Sequence, residues 1–312
     1  MIKLKKSIAI ILALTFILAV TACEKENVNA VEEGVKAKVN DNVITQEEYD
    51  EHLSVYKKMA ESQYGEGAWE MEISEGQTMG SYYESTLLDQ LIMDLLLVEA
   101  AEKDGIAATD EVLAEELQNF KSYLDTEEQY KQFLEGYGMT EEYLKESLRK
   151  EYLINHYLQI KIEEIKPTDD ELQTLFNDLK MNEKVRASHI LVKTEDEAKA
   201  VIDRINKGES FEELAKELST DPGSGANGGD LDYFEYTDMV QPFSEAAFAL
   251  EIGEVSEPIK SDFGYHVIKV TDKTVDNTKT VETEKTVLTE YYKSFKYEEL
   301  LEELKNKANI IK

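Results

Sequence analysis

V-R-A-S-H-I-L-V-K (residues 185–193) opens a block that closes with F-G-Y-H-V-I-K-V (residues 263–270). Each run carries one of the chain's four histidines, His189 and His266. Both runs are rich in apolar and β-branched residues, which favour strands. Paired as neighbours, they would set the two imidazoles side by side. Between them lie a Glu- and Lys-rich helical pattern, the glycine turn D-P-G-S-G-A-N-G-G-D-L (221–231) and the apolar patch M-V-Q-P-F-S-E-A-A-F-A-L (239–250). The spacing predicts strand, helix (195–207), helix (210–218), glycine loop, a short strand ending at Ile259, and a last strand (264–270). This is an α+β block, a small antiparallel sheet covered by helices.

Outward from the block, the chain is long enough for two domains: 312 residues, 42% hydrophobic. The formal charge is −32, and the first 22 residues are basic through Lys3, Lys5 and Lys6, so the rest is more acidic still. Such a surface repels phosphate backbones and keeps the protein dispersed, so nucleic acid is not expected as a partner. The single cysteine, Cys23, ends a segment of lysines, an uncharged apolar run (8–22) and small residues. That is the layout of a signal peptide, and the run is short for a membrane span of about 20 residues. Residues 1–22 are therefore expected to be a lipoprotein signal peptide. Val20-Thr21-Ala22-Cys23 resembles a lipobox, with Cys23 as the lipid-bearing first mature residue. A lipid on Cys23 would hold the protein at the extracytoplasmic face of a bacterial cell membrane.

Residues 23–35 are polar and aperiodic, a tether. A short hairpin turning at Asn40-Asp41-Asn42 is predicted next, then a helix begun by the capping box Thr45/Glu48. Residues 64–80, with Trp69 and several glycines, read as an irregular loop, and residues 81–103 as a central helix apolar nearly all round. Thr109, Thr126, Thr140 and Thr168 each precede acidic residues and cap further helices. Residues 36–181 are thus expected to be an N-terminal domain, all-helical but for its first turn. The final helix in residues 282–312 carries Leu288, Tyr291, Tyr292, Phe295, Tyr297, Leu300, Leu301 and Leu304, a stripe that one helix cannot bury alone. It is expected to return to the N-terminal domain, making the block at 183–273 an insertion.

The quoted runs, with G-G-D-L and Q-P-F-S-E-A-A-F-A-L-E-I-G-E-V-S-E-P-I (241–259), resemble in order and spacing the parvulin family of peptidyl-prolyl cis/trans isomerases. The wider chain is similar to the secreted foldase lipoproteins of the PrsA type, through the lipobox, the helical entry V-N-D-N-V-I-T-Q-E-E-Y (39–49) and the returning helix. The resemblance implies a parvulin-like domain inserted in an all-helical SurA/PrsA-like chaperone domain. It implies an apolar socket for a proline ring from Leu231, Met239 and Phe243, with Phe248 as deeper packing. It carries over a polar set of His189, Asp221, His266 and Ser261, with Asp221 near the substrate carbonyl and the imidazoles bonded to each other. The expected partners are unfolded or partly folded exported proteins with Xaa-Pro bonds, and a homodimer stays open as an assembly.

Chemistry suits that set. Rotation about a prolyl bond faces a barrier of about 18–20 kcal/mol and needs neither a covalent step nor a metal. It needs an apolar socket and polar groups that favour the twisted amide. No cofactor or metal is expected: the two histidines lack a third ligand at familiar spacing. Gly223-x-Gly225-x-x-Gly228 follows a helix instead of a strand, unlike a dinucleotide-binding turn. Asp232-Tyr233 stand where the family carries glycine and an aromatic, and Pro222 where some relatives carry a catalytic cysteine. Lys193 leads into T-E-D-E instead of the basic loop of phosphopeptide-binding relatives. Two readings of the whole stand: an anchored isomerase and foldase for exported proteins, and a non-catalytic holdase whose block only binds extended chain. A solute-binding lipoprotein would need two α/β lobes, which the sequence does not contain.

Overall fold

The computed structural model describes residues 31–74 and 76–312. The signal segment, Cys23 and most of the tether lie outside them. The chain divides into two compact units, one running to Ile165 and resuming at Lys296–Lys312, the other Lys166–Phe295.

In the first unit β1 (Val35–Val39) and β2 (Asn42–Thr45) form an antiparallel hairpin. Asn40 makes its turn at φ 54°, a left-handed conformation that asparagine tolerates. Five helices follow: α1 (Gln46–Tyr64), α2 (Met79–Lys103), α3 (Asp110–Ser122), α4 (Glu127–Tyr137) and α5 (Glu141–Glu164). Every one starts at a threonine whose side chain accepts from a backbone N–H of the first turn: Thr45, Thr78, Thr109, Thr126 and Thr140. Thr45 and Glu48 complete a capping box. α2 begins two residues before its predicted start, because Thr78 caps it, its Oγ1 accepting from Ser81 N at 3.1 Å. Its Met93, Leu97 and Ala101 pack with Leu153, Ile154 and Tyr157 of α5, and its Leu87 and Leu91 with Val39 and Ile44 of the hairpin.

The unit is less purely helical than the sequence suggests. A short pair, β3 (Glu72–Ser74) with β4 (Gln77–Thr78), fills part of the expected loop, and Trp69 is buried there. Its ring stacks on Tyr83 at 5.7 Å and 6°.

In the second unit, β5 (Glu183–Val192), β6 (Asp230–Phe234), β7 (Ile259–Ser261) and β8 (Gly264–Val275) form one antiparallel sheet in the order β6-β5-β8-β7. β5 and β8 are central, and successive side chains of β5 point to opposite faces. Ile190, Val192 and Val267 face α7 (Glu195–Asn206) and α8 (Phe211–Leu218). Ala187, Ile268 and Val270 face Phe243, Ala247 and Phe248 of α9 (Gln241–Ala249). Thr194 with Glu197 boxes the start of α7, Ser210 caps α8, and Pro242 sits in the first turn of α9, where its missing N–H costs nothing. β6 takes the last two residues of the predicted glycine loop and the three that follow, and β8 runs on past its predicted end at Val270.

Two boundaries differ from those read in the sequence. α6 (Asp169–Asp178), assigned above to the helical domain, packs within the second unit: Leu172, Phe176 and Met181 surround Leu288. The final helix, α10 (Val281–Lys307), gives Leu288 and Tyr291 to that cluster and Tyr297, Leu300, Leu301 and Leu304 to the first unit. Twenty-seven residues of helix extend about 40 Å, long enough to serve two cores. The chain closes with β9 (Ile310–Ile311), which pairs with β1.

Candidate prolyl isomerase site

The register of β5 against β8 pairs His189 with Ile268 and Leu191 with His266. The histidines are therefore diagonal neighbours on one face, the face that α9 covers. The rings lie at 5.3 Å between centroids and 18° between planes, with Nδ1 to Nδ1 at 3.1 Å. Both side chains are buried.

Asp221 reaches His189 because the loop after α8 is pinned to β5 at two points. Ser219 Oγ accepts from Leu191 N, and Thr220 N donates to Leu191 O at 2.8 Å. Further on, His189 N donates to Gly229 O at 2.9 Å. Gly229 holds φ 81°, and a Cβ there would lie 2.2 Å from His189 O, so only glycine lets the loop approach this closely. Asp221 then places Oδ2 2.8 Å from His189 Nε2.

One buried residue of this site has no counterpart in the sequence reading. Ser224 Oγ makes a short bond to Asp221 Oδ2 and lies 3.1 Å from His189 Nε2. The signal that could have found it is D-P-G-S itself. Asp221 accepts from the N–H groups of Gly223 and Ser224, the turn in which aspartate folds the backbone onto its own carboxylate.

Charge follows from these partners. Burial alone would raise the Asp221 pKa, but hydrogen bonds from Ser224, His189 and the two backbone amides outweigh it and hold the carboxyl far below the usual range. An ionised Asp221 can only accept, so His189 Nε2 carries a proton. In the neutral ring His189 Nδ1 is then an acceptor, and His266 Nδ1–H donates to it. That leaves His266 Nε2 as the acceptor for Ser261 Oγ, at 2.6 Å. Ser261 Oγ in turn accepts from Phe263 N at 3.2 Å. A single direction of donation runs from Phe263 through Ser261, His266 and His189 to Asp221. Burial first, and His189 second, push the His266 imidazole down to about 4 against the opposing pull of Asp221, so this ring is neutral at neutral pH.

The apolar residues divide. Phe243 stands edge-on to both imidazoles, 5.6 Å from His189 and 5.3 Å from His266, near 80° to each. It is buried, and Met239 and Leu231 are half-buried beside the same cluster. Phe248 faces Phe234 and Tyr236 and contacts neither histidine ring, a core position.

Residues 171–274 match the family model of the PPIC-type PPIase domain, and residues 1–158 that of the SurA-like N-terminal domain. Fold and match together define a parvulin-type peptidyl-prolyl isomerase joined to a SurA-like helical domain. The foldase protein PrsA of Caldanaerobacter subterraneus subsp. tengcongensis is 34% identical over 283 residues, 88% of this chain and 87% of its own. That of Clostridium tetani is 31% identical over 280 residues, 86% of this chain and 83% of its own. The crystal structure of peptidylprolyl isomerase (PrsA) from Bacillus anthracis is similar with a TM-score of 0.50 at 28% identity, over 71% of this chain and 96% of its own. The chain belongs to the PrsA foldase family, and it is a peptidyl-prolyl isomerase.

Proposed function

We propose that the prolyl ring seats against Met239, Leu231 and Phe243, and that Asp221 addresses the carbonyl of the preceding residue. The planar amide owes its barrier to a resonance form with negative charge on oxygen. A fixed carboxylate beside that oxygen disfavours the charge-separated form, and the apolar socket denies water the chance to solvate it. The twisted amide, which has lost conjugation, is thereby favoured without any covalent step. His189 and His266 are positioning residues: all four ring nitrogens are engaged, so neither ring is free to act as a base. The unbroken run of hydrogen-bond contacts from Ser261 through both imidazoles to Asp221 is the observation that carries the reading.

The helical first unit, in this reading, holds unfolded segments of exported proteins while the second unit turns their Xaa-Pro bonds. Among the described residues no helix is long and apolar enough to cross a membrane. The apolar run before Cys23 and the uniqueness of that cysteine support a lipid anchor there, on the extracytoplasmic face of the cell membrane.

The test is isomerisation of a short Xaa-Pro peptide by the purified protein. Asp221→Asn is expected to lower kcat/KM about tenfold, chiefly in kcat, and Met239→Ala to raise KM. His189→Ala should lower the rate as Asp221→Asn does, because the carboxylate loses its ring partner. An Asp221→Asn variant with the parent's rate would overturn the carboxylate's role. Fatty-acid labelling that persists in Cys23→Ala would overturn the anchor.

A further inference from the structure

The β3–β4 pair of the first unit presents a second surface, remote in sequence from the prolyl site. All three residues of β3 are exposed, and among the described residues β3 pairs with no strand but β4. β4 runs directly into α2, with Thr78 as that helix's cap, so the open edge is that of β3. Met71 and Ile73 are 43% and 44% exposed, two apolar side chains at the two-residue spacing of a strand.

The exposure is not slackness. Trp69 lies against the backbone of Gly80, where an added Cβ would stand 2.3 Å from Nε1, and against the ring of Tyr83. Met79 N donates to Met71 O at 2.9 Å. The strand is therefore fixed to α2 while its apolar side chains and one row of backbone groups stay in water. An open strand edge is a template for another chain, which proteins limit by shortness, charge, proline or a covering element; β3 is short and carries Glu72, but nothing described covers it. Among the described residues that flank it in sequence, the charged ones from 66 to 74 are Glu66, Glu70 and Glu72, all exposed.

We propose that the open edge of β3, with Met71 and Ile73, captures an extended segment of unfolded polypeptide by strand addition. The inference rests on the foldase reading and names the surface and the segment it takes. Backbone groups along the edge recognise any extended chain regardless of sequence, which suits a protein with many clients. Alternate apolar side chains supply the burial, and the surrounding carboxylates select segments that also carry lysine or arginine.

The probe is reduced, carboxamidomethylated lysozyme, a basic and permanently unfolded chain, labelled with a fluorophore and titrated with the full-length protein. Replacing both apolar residues (Met71→Asp with Ile73→Asp) is expected to weaken binding about tenfold, the loss of two buried side chains and one tenfold step of affinity. Xaa-Pro peptide isomerisation by the same variant should match the parent's. Binding as tight as the parent's, or no binding by the parent, would overturn the proposal. A photocrosslinking residue at Ile73 gives an independent reading should the double variant fail to fold. Cross-links to the probe should form from position 73 and not from position 160, whose isoleucine is equally exposed; equal yields would sink the idea. Failure of the isomerase reading shows separately, as a parent protein inactive on the peptide.

Discussion

Asp232 holds φ 57°, a left-handed backbone that glycine adopts freely and an L side chain adopts at a cost. The parvulin pattern has glycine at this place, and here the Asp230 carboxylate braces the turn: Asp232 N donates to Asp230 Oδ1 at 3.1 Å. Asp232→Gly is expected to stabilise the second unit by about 1 kcal/mol in urea unfolding, less what glycine's freedom returns to the unfolded chain. Acid offers a second prediction at this scale. His266 is lowered from 6.5 to about 4 by burial and His189. His52 of the first unit is lowered to about 4 by burial and Lys150. Between pH 6.5 and 4 the unfolded chain binds more protons than the folded one, so stability rises with pH across that window. The melting temperature should fall as pH drops from 6.5 to 4, and His266→Gln should flatten part of that slope. A slope unchanged by His266→Gln would show that this ring is not buried neutral. The residue types of the polar set were legible in V-R-A-S-H and F-G-Y-H; the proton direction was not, because it depends on an ionised Asp221 32 residues away from His189.

Elements were read well where the signal is local. Each threonine cap lies within three residues of the N–H it serves, so sequence alone marks the helix starts. β6 escaped because its run, D-L-D-Y-F, is short, carries two aspartates, which strands disfavour, and follows directly on five glycines and serines. It becomes a strand by pairing with β5, Val185 opposite Phe234, and by the close contact at Gly229. Gly229→Ala meets both a left-handed φ and the His189 carbonyl, and should destabilise the second unit by about 3 kcal/mol. Denaturant unfolding measures it, and peptide isomerisation should fall with it, since the same loop carries Asp221. Ser224 belongs to the same lesson: its burial and its bond to His189 follow from the loop's closure, not from its own neighbours in sequence.

For the molecule as a whole, the return of the chain to its first unit is the decisive feature. Leu301 is buried, with Tyr297, Leu300 and Leu304 packed around α2 and α5, and β9 extends the β1–β2 sheet. A chain ended after Phe295 should lose cooperative unfolding of the first unit, followed by calorimetry of the full and shortened proteins. Two independent transitions in the shortened chain would refute this. The sequence by itself determined the strands of the histidine runs, the capped helices, the apolar stripe that had to be covered, and the residues that could form a prolyl site. The elements follow from local rules, in which hydrogen bonds and periodicity act within a few residues, and the site residues from the resemblance of their motifs to the parvulin pattern. Only the tertiary structure decided that α6 and half of α10 belong with the sheet, that Phe243 stands edge-on to both imidazoles while Phe248 does not, and that β3 keeps an open edge. Those are settled by burial and register between segments far apart in the chain, where the free energy of packing overrides the preference of any one segment.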